Sequence, residues 1–257
     1  MTEERRRTCL VTGAASGIGR AACEALERAG CRVVDVDLRD AAITADLATP
    51  AGRAALVEEA TRATGGTLDV VVANAGVSQP AEGCVRVNYF GAVATLDGLR
   101  PLLARGDAPR AVATASSSVL NGQEPALVAA CLAGDEPGAV ELGEKAGLLA
   151  YPSSKRALSR WVRRSAPTAD WAGAGIALNA VAPGIVETPM SAELFAVDGM
   201  TQLMEDAVPM PYGGHARPEH VAEVIAFLAA PTTQRLTGQV VFVDGGADTV
   251  LRGDDVW

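Results

Sequence analysis

The chain is poor in what a metal centre, a disulfide frame or a membrane anchor would need. It has two histidines, His215 and His220, five residues apart. No cysteine or acidic cluster stands beside them to complete a metal site, so ordinary polar roles are expected and no metal is. The five cysteines, Cys9, Cys23, Cys31, Cys84 and Cys131, form an odd set without C-x-x-C spacing. They read as small buried hydrophobes in a reducing compartment. No apolar run reaches the ~20 residues that cross a bilayer, and the polar opening MTEERRRT lacks the apolar core of a signal peptide. A cytoplasmic protein with no membrane partner is expected. Positive charge is scarce as well: the formal net charge is −9, which argues against a nucleic-acid partner. The short run Arg5, Arg6, Arg7 reads as a solvated arm ahead of the first strand.

What the chain has is an alternation of continuous apolar runs with longer helical patterns. The runs lie at 8–11, 32–36, 42–45, 68–75, 110–116, 175–181 and 239–243, which predicts up to seven strands. Between them apolar residues recur at helical spacing, as at Ala21, Ala22, Ala25, Leu26 and Ala29, closed by Gly30. Continuous apolar strands separated by helices predict a parallel sheet covered on both faces. The fold class is therefore doubly wound α/β, one Rossmann-like domain over residues 1–257. Pro218 and Glu219 open a late helix whose expected core face is Val221, Val224, Ile225, Phe227 and Leu228.

The first strand runs into TGAASGIG, where Gly13, Ser16, Gly17, Ile18 and Gly19 form a glycine-rich strand-to-helix turn. Such a turn lets backbone approach a pyrophosphate, and the helix N-terminus supplies unpaired N–H groups to hold it. Asp37 ends the second strand 18 positions past Gly19, where a carboxylate can accept both hydroxyls of a ribose and would repel a 2′-phosphate. NAD is expected over NADP. Asp35 competes for that role, and Arg39, just beyond the acidic position, could tolerate the phosphate. Asp46 and Leu47 follow the short third strand, where an adenine ring would end.

Later, LLAYPSSKRAL sets Tyr151 and Lys155 one helical turn apart. Pro152 suits the first helical position, which puts Tyr151 at or just before the cap. An adjacent ammonium and a helix N-terminus both favour tyrosinate, so a tyrosine tuned toward neutral pH is expected.

Taken in order, Thr12-Gly13-x3-Gly17-x-Gly19, Asn74-Ala75-Gly76, a serine after the fifth strand, Tyr151-x3-Lys155 and Pro183-Gly184 with Thr188-Pro189 resemble the short-chain dehydrogenase/reductase family. The resemblance spans nearly the whole chain. It implies an oxidoreductase with Tyr151 as general acid/base, Lys155 on the nicotinamide ribose, and Ser116 orienting the substrate oxygen, Ser117 and Ser118 being one or two residues away. Asn88 in VNYFGA would hold a water relay to the lysine, or else cap a local kink. Asn74, Ala75 and Gly76 would support the sheet beside the adenosine. Pro183, Gly184, Ile185 and Thr188 would lie along the nicotinamide, the last two fixing its carboxamide.

Ser116 and Tyr151 stand 35 positions apart, wider than the resemblance implies, so 121–149 reads as an insert of helical character. With ADLATPAGR, PGIVETPM and VDGGADTVLRGD, it is similar to the branch holding bacterial 3α-hydroxysteroid dehydrogenase/carbonyl reductase. The segment 190–213 would then cover the substrate, carrying Met190, Leu194, Phe195, Met200, Leu203, Met204, Val208 and Met210. An apolar lid suits a small cyclic alcohol or ketone, a hydroxysteroid or cyclic terpenoid. The alternatives are an NADPH-dependent reductase of small ketones or acyl intermediates, and a dinucleotide-sensing protein without catalysis. The resemblance also implies a homodimer or homotetramer, with pairing through the last strand and helix expected because the insert would block the helix of Tyr151.

Overall fold

A computed structural model describes residues 5–254 of the chain. The seven expected strands are all present: β1 (Thr8–Thr12), β2 (Arg32–Asp37), β3 (Ile43–Thr44), β4 (Val70–Ala73), β5 (Arg110–Thr114), β6 (Ala177–Pro183) and β7 (Val240–Val243). They form one parallel sheet in the order β3-β2-β1-β4-β5-β6-β7. The order reverses between β1 and β4, which opens a crevice at the carboxyl ends of those strands.

The helices are α1 (Gly17–Arg28), α2 (Pro50–Thr64), α3 (Ala81–Gly83), α4 (Ala92–Leu103), α5 (Pro125–Ala133), α6 (Glu136–Ala146), α7 (Ala150–Ser165), α8 (Pro189–Phe195), α9 (Met200–Ala207), α10 (Pro218–Ala229) and α11 (Ala247–Arg252). A π-helical turn, Cys84–Gly91, joins α3 to α4.

Alternation along each strand sends side chains to opposite faces. Leu10 and Val71 pack with Leu56, Leu96 and Leu158 of α2, α4 and α7. Cys9, Val11, Val70 and Val72 pack with Leu26 of α1 and Ile225 of α10. Each such leucine or isoleucine, removed from water, stabilises the fold by about 2 kcal/mol before the entropy of ordering it is counted. The insert forms α5 and α6, whose Leu127, Val128, Cys131, Ala139 and Val140 extend the first of these cores.

Three local expectations are corrected. On α10, Val221, Ile225 and Leu228 are buried, but Phe227 is 57% exposed, because the buried stripe runs i, i+4, i+7 and position 227 falls outside it. Arg5 and Arg7 are not a free arm. Arg5 pairs with the fully buried Asp69 at 2.6 Å, and Arg7 donates to the carbonyls of Ala229 (2.7 Å) and Ala108 (2.8 Å), closing the base of the sheet. Among the cysteines only Cys9, Cys84 and Cys131 are buried; Cys23 and Cys31 are half-buried. The neighbouring Cys31 and burial push the Cys9 thiol up, while Cys9 holds the Cys31 thiol below its ordinary value.

Candidate active site

The crevice begins at a hydroxyl. Thr12, the last residue of β1, accepts through Oγ1 from the backbone N–H of Asn74 (3.0 Å) and of Ala75 (3.1 Å). The Asn74 side chain donates from Nδ2 to the Thr12 carbonyl at 3.2 Å and accepts at Oδ1 from Thr114 Oγ1 at 3.1 Å. The Thr114 carbonyl in turn accepts from Lys155 Nζ at 2.7 Å. A single polar chain thus crosses from β1 through β4 and β5 to α7, and it satisfies groups whose burial unpaired would be costly.

At the near end, Gly13 and Gly17 have φ of 69° and 52°, which side-chain-bearing residues resist. A Cβ on Gly19 would lie 2.0 Å from the Gly13 carbonyl oxygen, so the turn can fold this tightly only with glycine there. The first N–H groups of α1 have no partner inside the helix, and the hydroxyl of Ser16, its capping residue, does not take them up. Asp37 accepts from the backbone N–H of Ala15 (2.9 Å) and of Leu38 (2.7 Å), which holds its carboxylate at the rim. Asp35 is turned to the Ala42 N–H at 3.3 Å instead, and neither it nor Arg39 lines the crevice.

At the far end stand Ser116, Tyr151 and Lys155. Helix α7 starts at Ala150, behind a 3₁₀ turn at Gly147–Leu149. Tyr151 therefore lies within the first turn rather than at the cap, and Pro152 is tolerated because the N–H it lacks is one that no helix bonds there. Both serines that follow are used. Ser154 Oγ donates to the Tyr151 carbonyl at 2.7 Å, and Ser153 Oγ accepts from the Glu124 N–H at 2.8 Å, tying the insert to the helix. Ser116 caps the 3₁₀ turn Ser117–Leu120 by accepting from the Ser118 N–H at 3.2 Å. Its hydroxyl is near enough to Tyr151 to act on the phenol, whereas the Ser117 and Ser118 hydroxyls are buried without partners among the described residues.

The expected tuning of the tyrosine is corrected by this geometry. Loss of solvent pushes the Tyr151 phenol above its ordinary value, with the Ser116 hydroxyl opposing. Burial also pulls the Lys155 ammonium down to about 8, with Cys84 opposing. Removal from water disfavours both charged forms and is the largest influence on each group.

Apart from Gly19 and Asn88, every residue expected in the site lines one cavity of about 520 Å³. Gly19 lies beneath the turn as a packing residue. Asn88 is fully buried in the π-helical turn, where its side chain donates to the Val77 carbonyl (2.9 Å) and accepts from the Val77 N–H (2.8 Å). Such turns often mark functional positions. The cavity is also lined by Leu38, Asn121 and Leu148, which the sequence did not single out. Leu38 directly follows Asp37 and could have been found from it; Asn121 and Leu148 come from the ends of the insert, for which no spacing rule exists.

Over the far end, Met190, Leu194, Met200, Leu203, Met204 and Val208 face the cavity. Phe195 does not, being stacked on His215 with ring centroids 5.3 Å apart. Met210 packs beneath, its Sδ accepting from the Ile185 N–H at 3.2 Å. His220 accepts from the Arg217 N–H at 3.2 Å. No cluster of metal-ligating side chains occurs among the described residues, nor is any described helix long and apolar enough to cross a membrane.

Two family models match the chain: "short chain dehydrogenase" over residues 7–128 and "Enoyl-(Acyl carrier protein) reductase" over residues 138–248. The 3-alpha-hydroxysteroid dehydrogenase/carbonyl reductase of Comamonas testosteroni is 37% identical over 95% of this chain and 97% of that protein. The cis-4-hydroxycyclohexanecarboxylate dehydrogenase of Sinomonas cyclohexanicum is 34% identical over the same two shares. Among solved structures, the 3-alpha-hydroxysteroid dehydrogenase of Pseudomonas sp. B-0831 complexed with NADH is similar at a TM-score of 0.89 and 42% identity, covering 97% of this chain and 100% of that one.

Proposed function

Because this chain belongs to the short-chain dehydrogenase/reductase family, oxidoreductases of alcohol and ketone groups, we propose that it interconverts a secondary alcohol and a ketone on an apolar cyclic substrate, with NAD as cofactor. The observation that carries the substrate class is the far wall of the cavity. Seven aliphatic or thioether side chains of the 190–213 segment, Ala207 among them, face it, and Lys155 is the single basic residue of its lining among the described residues. A phosphate-bearing acyl carrier would need further cations there, whereas a hydroxysteroid or cyclic terpenoid needs apolar contact. The similarity to dehydrogenases named for a hydroxysteroid and a hydroxycyclohexane carboxylate supports the same class.

The near half of the cavity fits a dinucleotide. The free N–H groups of α1 would face its pyrophosphate, with Gly13, Ser16, Gly17 and Ile18 leaving room for it. Asp37 would take the adenosine ribose, Asp46 and Leu47 would flank the adenine, and Asn74, Ala75 and Gly76 would lie beneath. Pro183, Gly184, Ile185 and Thr188 would line the nicotinamide. Asp37 on the rim and the absence of Arg39 from the lining support NAD over NADP. When bound, the cofactor supplies a two-electron acceptor or donor.

The chain's own groups handle the proton and the orientation. In oxidation Tyr151 takes the hydroxyl proton of the substrate; in reduction it returns one to the carbonyl oxygen. Ser116 hydrogen-bonds that same oxygen. Lys155, held by the Thr114 carbonyl with its ammonium 6.0 Å from the centre of the Tyr151 ring, would bind the nicotinamide ribose. Asn88 fixes the Val77 backbone beside it and would anchor a water relay. Proton transfer of this kind contributes about 10²–10⁴-fold to a rate.

The reading includes a homodimer. Its support is the half-buried edge strand β7 and the exposed Val250 and Leu251 of α11, and a tetramer seen in solution to pair through α7 would refute it. The decisive assay is NADH formation from NAD with 3-hydroxysteroids and cyclic terpenoid alcohols, run beside NADP. Turnover restricted to small polar alcohols, or dependent on NADP, would overturn the substrate or the cofactor assignment respectively.

A further inference from the structure

The loop Asp46–Ala48 walls the adenosine end of the cavity through Asp46 and Leu47, yet it lies between a two-residue strand and a helix with little sheet to hold it. Behind it sits Arg53 of α2, a nearly buried guanidinium whose side chain is 11% exposed. Arg53 donates from Nε to the Leu47 carbonyl at 2.8 Å and from Nη2 to the Ala48 carbonyl at 3.3 Å. Nη2 also reaches the Arg86 carbonyl of the π-helical turn at 3.0 Å. The remaining edge forms a two-point fork with Glu136, at 2.7 Å and 2.8 Å. Glu136 is the first residue of α6, so the carboxylate that orients this arginine comes from the insert.

The loop has little freedom to adapt. A Cβ on Gly52 would stand 2.0 Å from the Asp46 carbonyl oxygen, and one on Gly91 would stand 3.0 Å from Leu47 Cβ. Helix α2 and the π-helical turn therefore both press directly on it. A guanidinium needs its planar donors aligned to serve several acceptors at once, and a two-point carboxylate contact supplies that alignment.

We infer that Arg53 and Glu136 form a positioning pair through which the insert sets the adenosine subsite: Glu136 orients Arg53, and Arg53 holds the Leu47 and Ala48 carbonyls so that Asp46 and Leu47 face the cofactor. The inference rests on the cavity's near half taking the adenosine end of a dinucleotide. Neither residue lines the cavity, so the pair governs affinity at that end and leaves the chemistry at Tyr151 unchanged.

The test compares wild type, Glu136→Gln and Arg53→Lys in calorimetric titrations with ADP-ribose and in steady-state kinetics with NAD. Glu136→Gln preserves shape and keeps one acceptor oxygen; Arg53→Lys keeps charge but loses the fork. In both, Kd for ADP-ribose and KM for NAD should rise about tenfold, with kcat at saturating NAD within about twofold of wild type. Glu136→Asp should recover part of the affinity. Unchanged ADP-ribose affinity in folded variants, with only the melting temperature lowered, would overturn the inference and leave the pair a structural tie. A wild-type protein binding neither ADP-ribose nor NADH would instead overturn the cofactor reading on which it rests.

Discussion

Lys155 Nζ lies 6.0 Å from the centre of the Tyr151 ring while donating to the Thr114 carbonyl. The lysine is aimed by β5 and the tyrosine by its own helix, so two elements must be in register before the pair exists.

Tyr151→Phe should lower kcat by at least about 10³-fold while leaving the NADH dissociation constant within about threefold of wild type. Stopped-flow turnover and fluorescence titration read the two separately. Activity near wild type would remove Tyr151 from the mechanism.

Burial lowers Lys155 from 10.5 to about 8. Its folded value lies below its unfolded one, so between pH 8 and 10.5 the unfolded chain binds more protons and stability rises with pH. The full penalty applies below pH 8, and its relief across that window amounts to about 3 kcal/mol. Tyr151, shifted upward from 10.0, acts the other way above pH 10, where the unfolded chain ionises first. Urea midpoints taken without cofactor should climb from pH 8 toward 10 in wild type and stay flatter in Lys155→Met.

Asp37→Ala should raise KM for NAD about tenfold and shift the NAD/NADP ratio of kcat/KM toward NADP by at least as much, since it removes the carboxylate that would repel a 2′-phosphate. The kinetic ratio measures this directly. An unchanged ratio would pass the discriminating role to another group.

At the opposite end of the sheet, Asp69 is fully buried and accepts from the Thr8 and Asp107 N–H groups, each at 2.7 Å, and from Arg5. Asp69→Ala strands these donors and should cost about 3 kcal/mol, readable in chemical denaturation. Catalysis at 25 °C should be little affected, because the site lies at the other strand ends.

Much of this architecture was legible from residue patterns. Every strand was found, because a strand covered on both faces writes itself as an unbroken apolar run such as Val70–Ala73. The turn at Gly13–Gly19 and the pair Tyr151/Lys155 were found because fixed spacing on a helix or turn fixes neighbourhood in space. What escaped depends on environment. Spacing cannot reveal that desolvation is the largest influence on Tyr151 and Lys155, that Phe227 falls outside its helix's buried stripe, or that a 3₁₀ turn carries the start of α7 forward of Pro152. The tie from Arg53 to Glu136, 83 positions apart in the chain, had no local signature at all.

The polar chain that runs from Thr12 through Asn74 and Thr114 to Lys155 joins residues 62, 40 and 41 positions apart. Contacts of such long range form only after large loops have closed, which makes a fold of this kind slow to assemble. No early fragment of the chain contains the whole crevice, since β1, β4, β5 and α7 must all be docked before its floor is complete. During synthesis the residues of the near half of the site, Gly13 to Gly76, therefore emerge first, and the site is complete only once α7 and the 190–213 segment have followed.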